Sequence, residues 1–403
     1  MECLHRDGEV TVTLLESWHE LTEQQWETLG QPRHPFESAA WLLATAHPQA
    51  RVFVAWLNGQ AIAALPLECA RAAAPPLHTA EDIFVGPRAE ALMRGHGKDP
   101  TPLLAAREAN WKSVAVVLSP FAFRGVLRGE RQLSSTLPTL LKALEIWGKR
   151  HGLLGIAFPY LREQEDGPLI SALSARGAHL VLLGAGCSLS VPWRDPAGYF
   201  TWLGRRRVRQ TYAQTIRSGA VKKRLLQPGE ALEASLQVAA RDLLLWDAQR
   251  HGSHHPPKAL YGQLLDRWPE ERLLTWIEGR QGQMEACALA FIYHKCVISK
   301  FGGHLHEKGR YLELCLTSMV IHAIEERQRF VDLGASNHQA KLLRGGEIYW
   351  IVGALLSLDP TFHQAVSAGL EAYSENILSY ISAVSHTYAV DRRIPGRPVW
   401  LHV

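Results

Sequence analysis

The chain has 403 residues, of which 47% are hydrophobic and 20% are charged, and its formal net charge at pH 7 is +4. This composition argues against a disordered chain and provides enough apolar side chains for two cores. Its longest apolar stretches fall well short of the roughly 20 residues that a membrane-spanning helix needs. The N-terminal segment is charged and lacks the apolar centre of a signal peptide, so we expect a soluble, cytoplasmic protein. The six cysteines are scattered without a CxxC pair and predict no metal site.

The first half of the chain has an α/β pattern with one clear hairpin. Apolar segments 51–57 and 61–68 flank Asn58 and Gly59, a dipeptide that supplies the positive φ values of a tight turn. Residues 70–102 are rich in Ala, Pro, Gly and His, and we expect them to be mostly irregular. Apolar periodicity predicts strands over 10–15, 114–118, 153–158 and 179–191, and helices over 21–29, 36–46, 134–147 and 168–175.

After Pro192 a similar order of helices, strands and a hairpin recurs, with different residues. A basic helix over 203–218 comes first, and a second hairpin turns at residues 279–282. Later, an apolar helix over 311–325 precedes a buried strand over 330–333. The remaining predictions are strands over 221–226, 272–278, 284–293 and 295–301, and helices over 232–249 and 258–267.

These patterns predict an α/β fold with two domains, 1–192 and 193–403, although no sequence repeat relates the halves. Each domain would combine a mostly antiparallel sheet with a strand, helix, strand crossover. We expect the second domain to carry most of the functional site.

Two segments of the second half resemble a known family. One is Tyr199-Phe200-Thr201-Trp202-Leu203-Gly204 followed by Arg205-Arg206-Arg207-Val208-Arg209, and the other is Phe330-Val331-Asp332-Leu333-Gly334 followed by Lys341 and Arg344-Gly345. In their order along the chain they resemble the tandem-GNAT acyltransferases of the FemABX and BioF2-like type. The resemblance covers residues 195–350, and the first half by architecture. It implies two GNAT-like domains and an aminoacyl-tRNA-dependent or acyl-CoA-dependent transferase.

The resemblance and the strand-end position of the loop after residue 333 give three candidate catalytic residues. Lys341 could stabilise the oxyanion of a tetrahedral intermediate. With no marked burial expected, it would remain protonated at neutral pH. Asp332 could orient Lys341 or accept the proton of an amine. His338 has a suitable unperturbed pKa for a base. The alternatives are that Lys341 pairs with Asp332 or Glu347, and that Asp332 bonds only to backbone amides.

Arginines predict a site for the phosphates of an acyl donor. Arg205, Arg206 and Arg209 crowd the start of a helix, where cations oppose the macrodipole unless an anion offsets them. Arg344 could also bind a phosphate, or bridge to a carboxylate. A solvated basic face is the alternative for the helix. The histidine-rich segment 251–257 could bind a metal but lacks a second ligand group at a recognisable spacing.

The missing phosphate loop favours tRNA over CoA as the acyl carrier. Neither half has an intact Gln/Arg-x-x-Gly-x-Gly/Ala loop, and the second offers only the fragments Gly302-Gly303 and Gly309-Arg310. We therefore expect transfer of an aminoacyl group from aminoacyl-tRNA to an amine of a small or peptide-like acceptor, with no cofactor. The alternatives are an acyl-CoA-dependent N-acyltransferase and a non-catalytic RNA-binding protein.

Overall fold

The computed structural model describes residues 2–45, 50–69, 79–122, 124, 128–129, 133–217, 221–250, 258–279, 281–305 and 312–389. In its first part the strands are β1 (Glu2–Asp7), β2 (Val10–Leu15), β3 (Arg51–Leu57), β4 (Gln60–Cys69), β5 (Val114–Val116), β6 (Gly155–Arg162) and β7 (His179–Ser190). The helices are α1 (Glu23–Thr28), α2 (Ala39–Thr45), α3 (Ala80–Phe84), α4 (Pro87–Gly95), α5 (Thr101–Arg107), α6 (Leu133–Arg150) and α7 (Glu163–Ser174).

The predicted hairpin between β3 and β4 is confirmed. Its turn residues Asn58 and Gly59 have φ values of 50° and 79°, the left-handed conformation that this dipeptide favours. The strands pair antiparallel from Leu57 with Gln60 to Arg51 with Leu67. Local turn chemistry was therefore sufficient to locate this element.

Residues 79–102 are not irregular as expected, because α3, α4 and the start of α5 lie there. Thr79 caps α3 by accepting a hydrogen bond from the backbone N–H of Asp82. Pro87 and Pro102 stand in the first turns of α4 and α5, where a missing backbone N–H costs nothing. The prolines start helices here, whereas we interpreted them as loop residues. Residues 70–78 of the same segment lie outside the described residues.

The second part of the chain contains the predicted elements with shifted ends. Its strands are β8 (Val221–Leu226), β9 (Glu271–Glu278), β10 (Met284–Tyr293), β11 (Cys296–His304), β12 (Phe330–Ala335) and β13 (Glu347–Ser357). Its helices are α8 (Pro196–Leu203), α9 (Arg206–Arg217), α10 (Ala234–Arg250), α11 (Lys258–Leu265), α12 (Ser318–Glu325), α13 (His338–Leu342) and α14 (Pro360–Tyr388). A π-helical turn, Glu313–Thr317, precedes α12. None of the described helices is long and apolar enough to cross a membrane.

The described residues form two compact units, the first within 2–184 and 350–380, and the second within 185–349 and 381–389. They do not follow the expected boundary at 192, because β13 and most of α14 return to the first unit. The physical reason is that α14 has an apolar face whose side chains recur at helical spacing and are all buried. These side chains are Phe362, Val366, Leu370, Tyr373 and Ile377.

In the first unit the strands are ordered β1-β2-β3-β4-β5-β6-β13. β5 and β6 run parallel, and the other neighbours pair antiparallel. α6 lies between β5 and β6 in the chain, and its buried face, with Leu140 and Leu144, joins the core on that sheet.

In the second unit the strands are ordered β7-β12-β11-β10-β9-β8. β11 and β12 run parallel and are joined through the π-helical turn and α12. The core of this unit lies between the sheet and the helices α8, α9 and α12. The segments 284–293 and 330–333 are both in this sheet, as predicted.

Candidate functional site

The two parallel strands of the second unit diverge. β11 and β12 pair only at Cys296 with Phe330, Val297 with Val331 and Ile298 with Asp332 among the described residues. Beyond that point β11 stays with β10 as far as His304, and β12 stays with β7 as far as Ala335. Within the described residues no ladder hydrogen bonds join β11 to β12 beyond Ile298 and Asp332. The cleft between these strand ends is the candidate functional site.

A bulge shapes the β12 side of the cleft. The register against β7 shifts between Asp332 and Gly334, and Gly334 has a φ of 71°, which glycine adopts without the steric cost of a Cβ. Ser336 and Asn337 follow with φ values of 64° and 49°. This left-handed pair turns the chain abruptly from β12 into α13.

Asp332 holds that bulge in place. Its Oδ1 accepts a hydrogen bond of 2.8 Å from the Gly334 backbone N–H and one of 3.1 Å from the Tyr349 hydroxyl. The Tyr349 ring lies over Gly186, where a Cβ would come within 2.2 Å of the ring. Asp332 thus acts on Lys341 indirectly, by fixing the turn to which the lysine is bonded.

Lys341 is buried, contrary to the expectation of an accessible lysine. Its Nζ donates hydrogen bonds to the carbonyl oxygens of Gly334 at 2.8 Å and Ala335 at 2.5 Å. Burial lowers the pKa of Lys341 to about 8, and the nearby Asp332 carboxylate only partly offsets this. At pH 7 the side chain is still mainly an ammonium group. It has three N–H donors, so one remains for a ligand.

His338 lies in the same turn and is mostly buried. Its Nε2 lies 2.8 Å from the Ala185 carbonyl oxygen, and since that oxygen can only accept, Nε2 carries the proton and the lone pair is on Nδ1. Burial lowers the pKa of His338, and the Lys341 charge adds to that effect. The hydrogen bond to Ala185 partly offsets these two effects, but the net shift favours the neutral imidazole, the form that can accept a proton.

Cys187 and Tyr349 also belong to this site, and the sequence analysis missed both. Cys187 is opposite Gly334 across the β12–β7 pair, and burial raises the pKa of its thiol to about 12. It is therefore a neutral packing residue and no nucleophile. No short motif identifies either residue, because strand pairing brings them to the bulge.

Arg344 does not have the predicted position of a phosphate ligand. Its guanidinium is buried and donates to the Glu313 carboxylate at 2.5 Å, the Thr317 hydroxyl at 2.8 Å and the Ala340 carbonyl at 2.8 Å. Arg344 instead forms the bridge to a carboxylate that the sequence analysis gave as the alternative. This ion pair ties the turn after α13 to the π-helical turn before α12.

Arg205, Arg206 and Arg209 are at the start of α9, separated from α8 by Gly204. Arg206 and Arg209 are exposed and Arg205 is partly exposed. Val208 and Tyr212 of this helix pack on the core of the second unit. The structure therefore keeps these arginines on the surface and Lys341 inside, and it does not bring the two predicted groups into contact.

Other sequence predictions give no site within the described residues. No group of three or more His, Cys, Asp and Glu side chains there could hold a metal ion. The histidine-rich segment 251–257 and the fragment Gly309-Arg310 lie outside the described residues. The glycine at position 303 is explained by packing, because a Cβ there would lie 2.6 Å from the Leu243 carbonyl oxygen of α10.

Comparison with known proteins gives structural likeness only. No family model matches the chain, and no curated protein matches its sequence. Among solved structures, FemX is similar with a TM-score of 0.50 and 10% identity over 88% of this chain and 100% of FemX. L-PGS from Bacillus licheniformis has a TM-score of 0.45 at 11% identity, over 72% and 96% of the two chains.

A tandem GNAT protein from the clavulanic acid biosynthesis pathway has a TM-score of 0.43 at 14% identity, over 87% and 99% of the two chains. Of these three structures, FemX has the highest TM-score, and its whole length is covered. The chain has the α/β fold of FemX, and the fold implied by the sequence resemblance is thereby confirmed.

Proposed function

We propose that the protein is a cytoplasmic N-acyltransferase that moves an aminoacyl group from aminoacyl-tRNA to the amine of a small or peptide-like acceptor. The observation that carries the proposal is the buried Lys341 ammonium beside a cleft between diverging strands, with a neutral imidazole in the same turn. The FemX-like fold and the sequence resemblance support the same reaction class.

The proposed chemistry uses groups that this turn holds in place. The acceptor amine attacks the ester carbonyl carbon, a C–N bond forms, and the carbonyl oxygen becomes an oxyanion. The remaining N–H of Lys341 stabilises that oxyanion in a site where charge is poorly screened. Nδ1 of His338 accepts the proton that the amine loses. When the C–O ester bond breaks, the same proton passes to the leaving ribose oxygen.

Asp332 contributes by positioning. Its bonds to Gly334 and Tyr349 fix the two carbonyl groups that hold the Lys341 ammonium. A preorganised cation needs no reorientation when negative charge develops, which is the main source of such stabilisation. We therefore assign Asp332 to orientation of Lys341 and the base role to His338.

The test is direct product detection with each donor class. The purified chain is incubated with a mixture of amines and either total aminoacyl-tRNA or a set of acyl-CoAs, and amide products are identified by mass spectrometry. The proposal expects products only with aminoacyl-tRNA. Products only with acyl-CoA would establish the alternative N-acyltransferase, and tRNA binding without any product would leave the RNA-binding alternative.

The pH dependence tests the two roles within that reaction. Because His338 must be neutral and Lys341 must be charged, kcat/KM should rise with pH at acidic pH, below the ordinary pKa of a histidine, and fall above about 8. His338→Gln should abolish the acidic limb and lower the plateau by roughly a hundredfold. An unchanged acidic limb in that variant would assign the base to another group.

A further inference from the structure

A buried ion pair joins the helix of Lys341 to the π-helical turn before α12. The Arg344 guanidinium donates at 2.8 Å to the carbonyl oxygen of Ala340, the residue before Lys341. The same guanidinium donates to the Glu313 carboxylate at 2.5 Å and to the Thr317 hydroxyl at 2.8 Å. Both of these acceptors belong to the π-helical turn. One arginine side chain therefore holds two separate segments of the second unit together.

The π-helical turn is itself bonded to β11. The Ser299 hydroxyl donates to the Cys315 carbonyl oxygen at 3.0 Å. Among the described residues, Ile298 is the last residue of β11 that pairs with β12, and Ser299 follows it where the cleft opens. A continuous series of hydrogen bonds thus leads from β11 through the π-helical turn and Arg344 to the residue before Lys341.

The backbone of Arg344 is fixed as well as its side chain. The hydroxyl of Tyr199, a buried residue of α8, donates to the Arg344 carbonyl oxygen at 3.0 Å. The Lys341 carbonyl oxygen accepts hydrogen bonds from the backbone N–H groups of Arg344 and Gly346, each at 3.0 Å. A displacement of Arg344 would therefore displace the backbone of Lys341.

Stability alone does not account for an ion pair at this place. The side chains of Arg344 and Glu313 are 7% and 3% exposed, so both charges have lost most of their hydration. Apolar residues of similar volume often stabilise a protein as much as a buried ion pair, or more. The pair adds direction, because a guanidinium donates along fixed axes to carboxylate and carbonyl oxygens. A π-helical turn is also rare and frequently marks a functional site.

We propose that Arg344 and Glu313 are positioning residues that fix the Lys341 ammonium group relative to β11. This inference rests on the proposed function, in which Lys341 stabilises an oxyanion in the cleft between β11 and β12. Such a donor is effective only at the correct distance from the reacting carbonyl group. Asp332 fixes the carbonyl groups that Lys341 binds, whereas the ion pair fixes the helix from which the lysine side chain extends.

The test separates positioning from stability with an apolar double variant. Arg344→Met removes the guanidinium and leaves the Glu313 carboxylate buried without this cation, so both the melting temperature and kcat should fall. Adding Glu313→Leu removes that carboxylate and should restore most of the melting temperature. The Ala340 carbonyl still lacks its donor, so kcat should stay about tenfold below that of the unmodified protein, with an unchanged KM for the donor.

Arg176 of the first unit provides the matched control. Its guanidinium donates to the Glu145 carboxylate at 2.5 Å and to the Pro138 carbonyl oxygen at 2.7 Å, which are the same two kinds of acceptor. Arg176→Met should lower the melting temperature without changing kcat. Arg344→Lys keeps the charge but loses the planar fork, so it should retain only part of kcat.

The reactivity of Lys341 gives a second measurement that needs no turnover. The protein is labelled with acetic anhydride at several pH values beside an internal amine standard, and the modified peptides are quantified by mass spectrometry. In the unmodified protein Lys341 should react slowly, with a pKa of about 8. In the double variant a displaced, better hydrated Lys341 should react several-fold faster and its pKa should rise.

Two results would overturn the inference: recovery of kcat together with the melting temperature in the double variant, or unchanged reactivity of Lys341. Its failure is distinguishable from that of the proposed function. If the unmodified protein forms no amide with either donor but the labelling of Lys341 changes in the double variant, the positioning stands and the transferase is wrong. If amides form and the double variant turns over normally, the transferase stands and the positioning is wrong.

Discussion

Each unit has one parallel strand pair joined by a helix, and the two pairs differ in the charges near their ends. In the first unit β5 pairs with β6 at Val114 with Gly155, Ala115 with Ile156 and Val116 with Ala157. In the second unit β11 and β12 pair over the same number of residues. Each unit buries a cation beyond the end of its parallel pair. The cation is Arg124 in the first unit and Lys341 in the second.

The partners of the two cations decide what each can do. Arg124 is paired with Glu165, and its Nε lies 3.5 Å from the buried Glu37 carboxylate. Arg33 extends this cluster to Asp166 at 3.1 Å. Lys341 is hydrogen bonded to carbonyl oxygens alone. A cation neutralised by carboxylates fixes structure, whereas one held by carbonyls keeps its charge available and has a pKa that its surroundings can shift.

The first unit also fills the space beyond its strand pair. Ser119 forms an isolated bridge with Arg124, and Arg128 forms one with Ala64 of β4. Gly129 follows with a φ of 126°, and a Cβ there would lie 2.2 Å from the Ile62 carbonyl oxygen. No isolated bridge of this kind joins the ends of β11 and β12 within the part of the chain that the structure describes. We therefore expect catalysis in the second unit and a structural role for the buried charges of the first.

Breaking the ion pairs of the first unit should give the largest change in stability. Arg124→Met removes one of the two cations of the buried Glu37 carboxylate and leaves only Arg33 beside it, and we expect a loss of about 3 kcal/mol in the free energy of unfolding. Turnover per folded molecule should stay normal. Urea unfolding and single-turnover rates on one preparation check this, with Arg344→Met as the matched variant in the second unit. A large loss of turnover in Arg124→Met but not in Arg344→Met would contradict the structural role that we expect for the buried charges of the first unit.

Removing the other cation should affect turnover more than folding. Lys341→Ala deletes the proposed oxyanion donor, and we expect the single-turnover rate to fall about a hundredfold or more while donor affinity changes little. Lys341→Arg keeps the charge but alters its reach, so it should recover only part of the rate. A destabilised variant with full turnover per folded molecule would remove Lys341 from the mechanism.

Burial of Lys341 also predicts a pH dependence of stability with a definite sign. The folded pKa is about 8, below the value of about 10.4 for an unfolded chain. Between these values the unfolded chain binds more protons, so the free energy of unfolding rises with pH. From pH 7.5 to 9.5 Lys341 should contribute roughly 2 kcal/mol to that rise.

The measurement is the difference between the unmodified protein and Lys341→Met in urea unfolding at the two pH values, because other titrating groups cancel in it. Turnover should fall over the same range, since the ammonium group is lost. A rise in stability together with a fall in turnover would show that Lys341 serves catalysis, in contrast to the structural role expected for Arg124. A difference independent of pH would mean that Lys341 is not desolvated in solution.

Much of this fold follows from local patterns. Asn58 and Gly59 specify a turn by their φ preferences, and short continuous apolar runs locate β10 and β12 without knowledge of the rest of the chain. The strand-end position of Lys341 was predictable in the same way. Its burial was not, because that depends on β7, which is distant in sequence.

The parts that the sequence did not reveal depend on non-local contacts. The Glu313 partner of Arg344 is 31 residues away, and neither residue belongs to a motif that names the other. Cys187 and Tyr349 meet at the bulge only through strand pairing. By contrast, the apolar face of α14 recurs at helical spacing from Phe362 onwards and could have been recognised.

The smallest expected effect concerns Tyr349, whose hydroxyl bonds the Asp332 carboxylate. Tyr349→Phe keeps the ring over Gly186 but removes a hydrogen bond to a charged group, which should cost about 1.5 kcal/mol in the free energy of unfolding. Because Asp332 positions the turn that holds Lys341, kcat should fall several-fold with KM unchanged. Gly186→Ala tests the same contact from the other side, since a Cβ within 2.3 Å of the hydroxyl oxygen must displace it. The two variants should lower kcat similarly in single-turnover assays. A loss of stability in both with kcat intact would show that the bond between Tyr349 and Asp332 serves folding and not the orientation of Lys341.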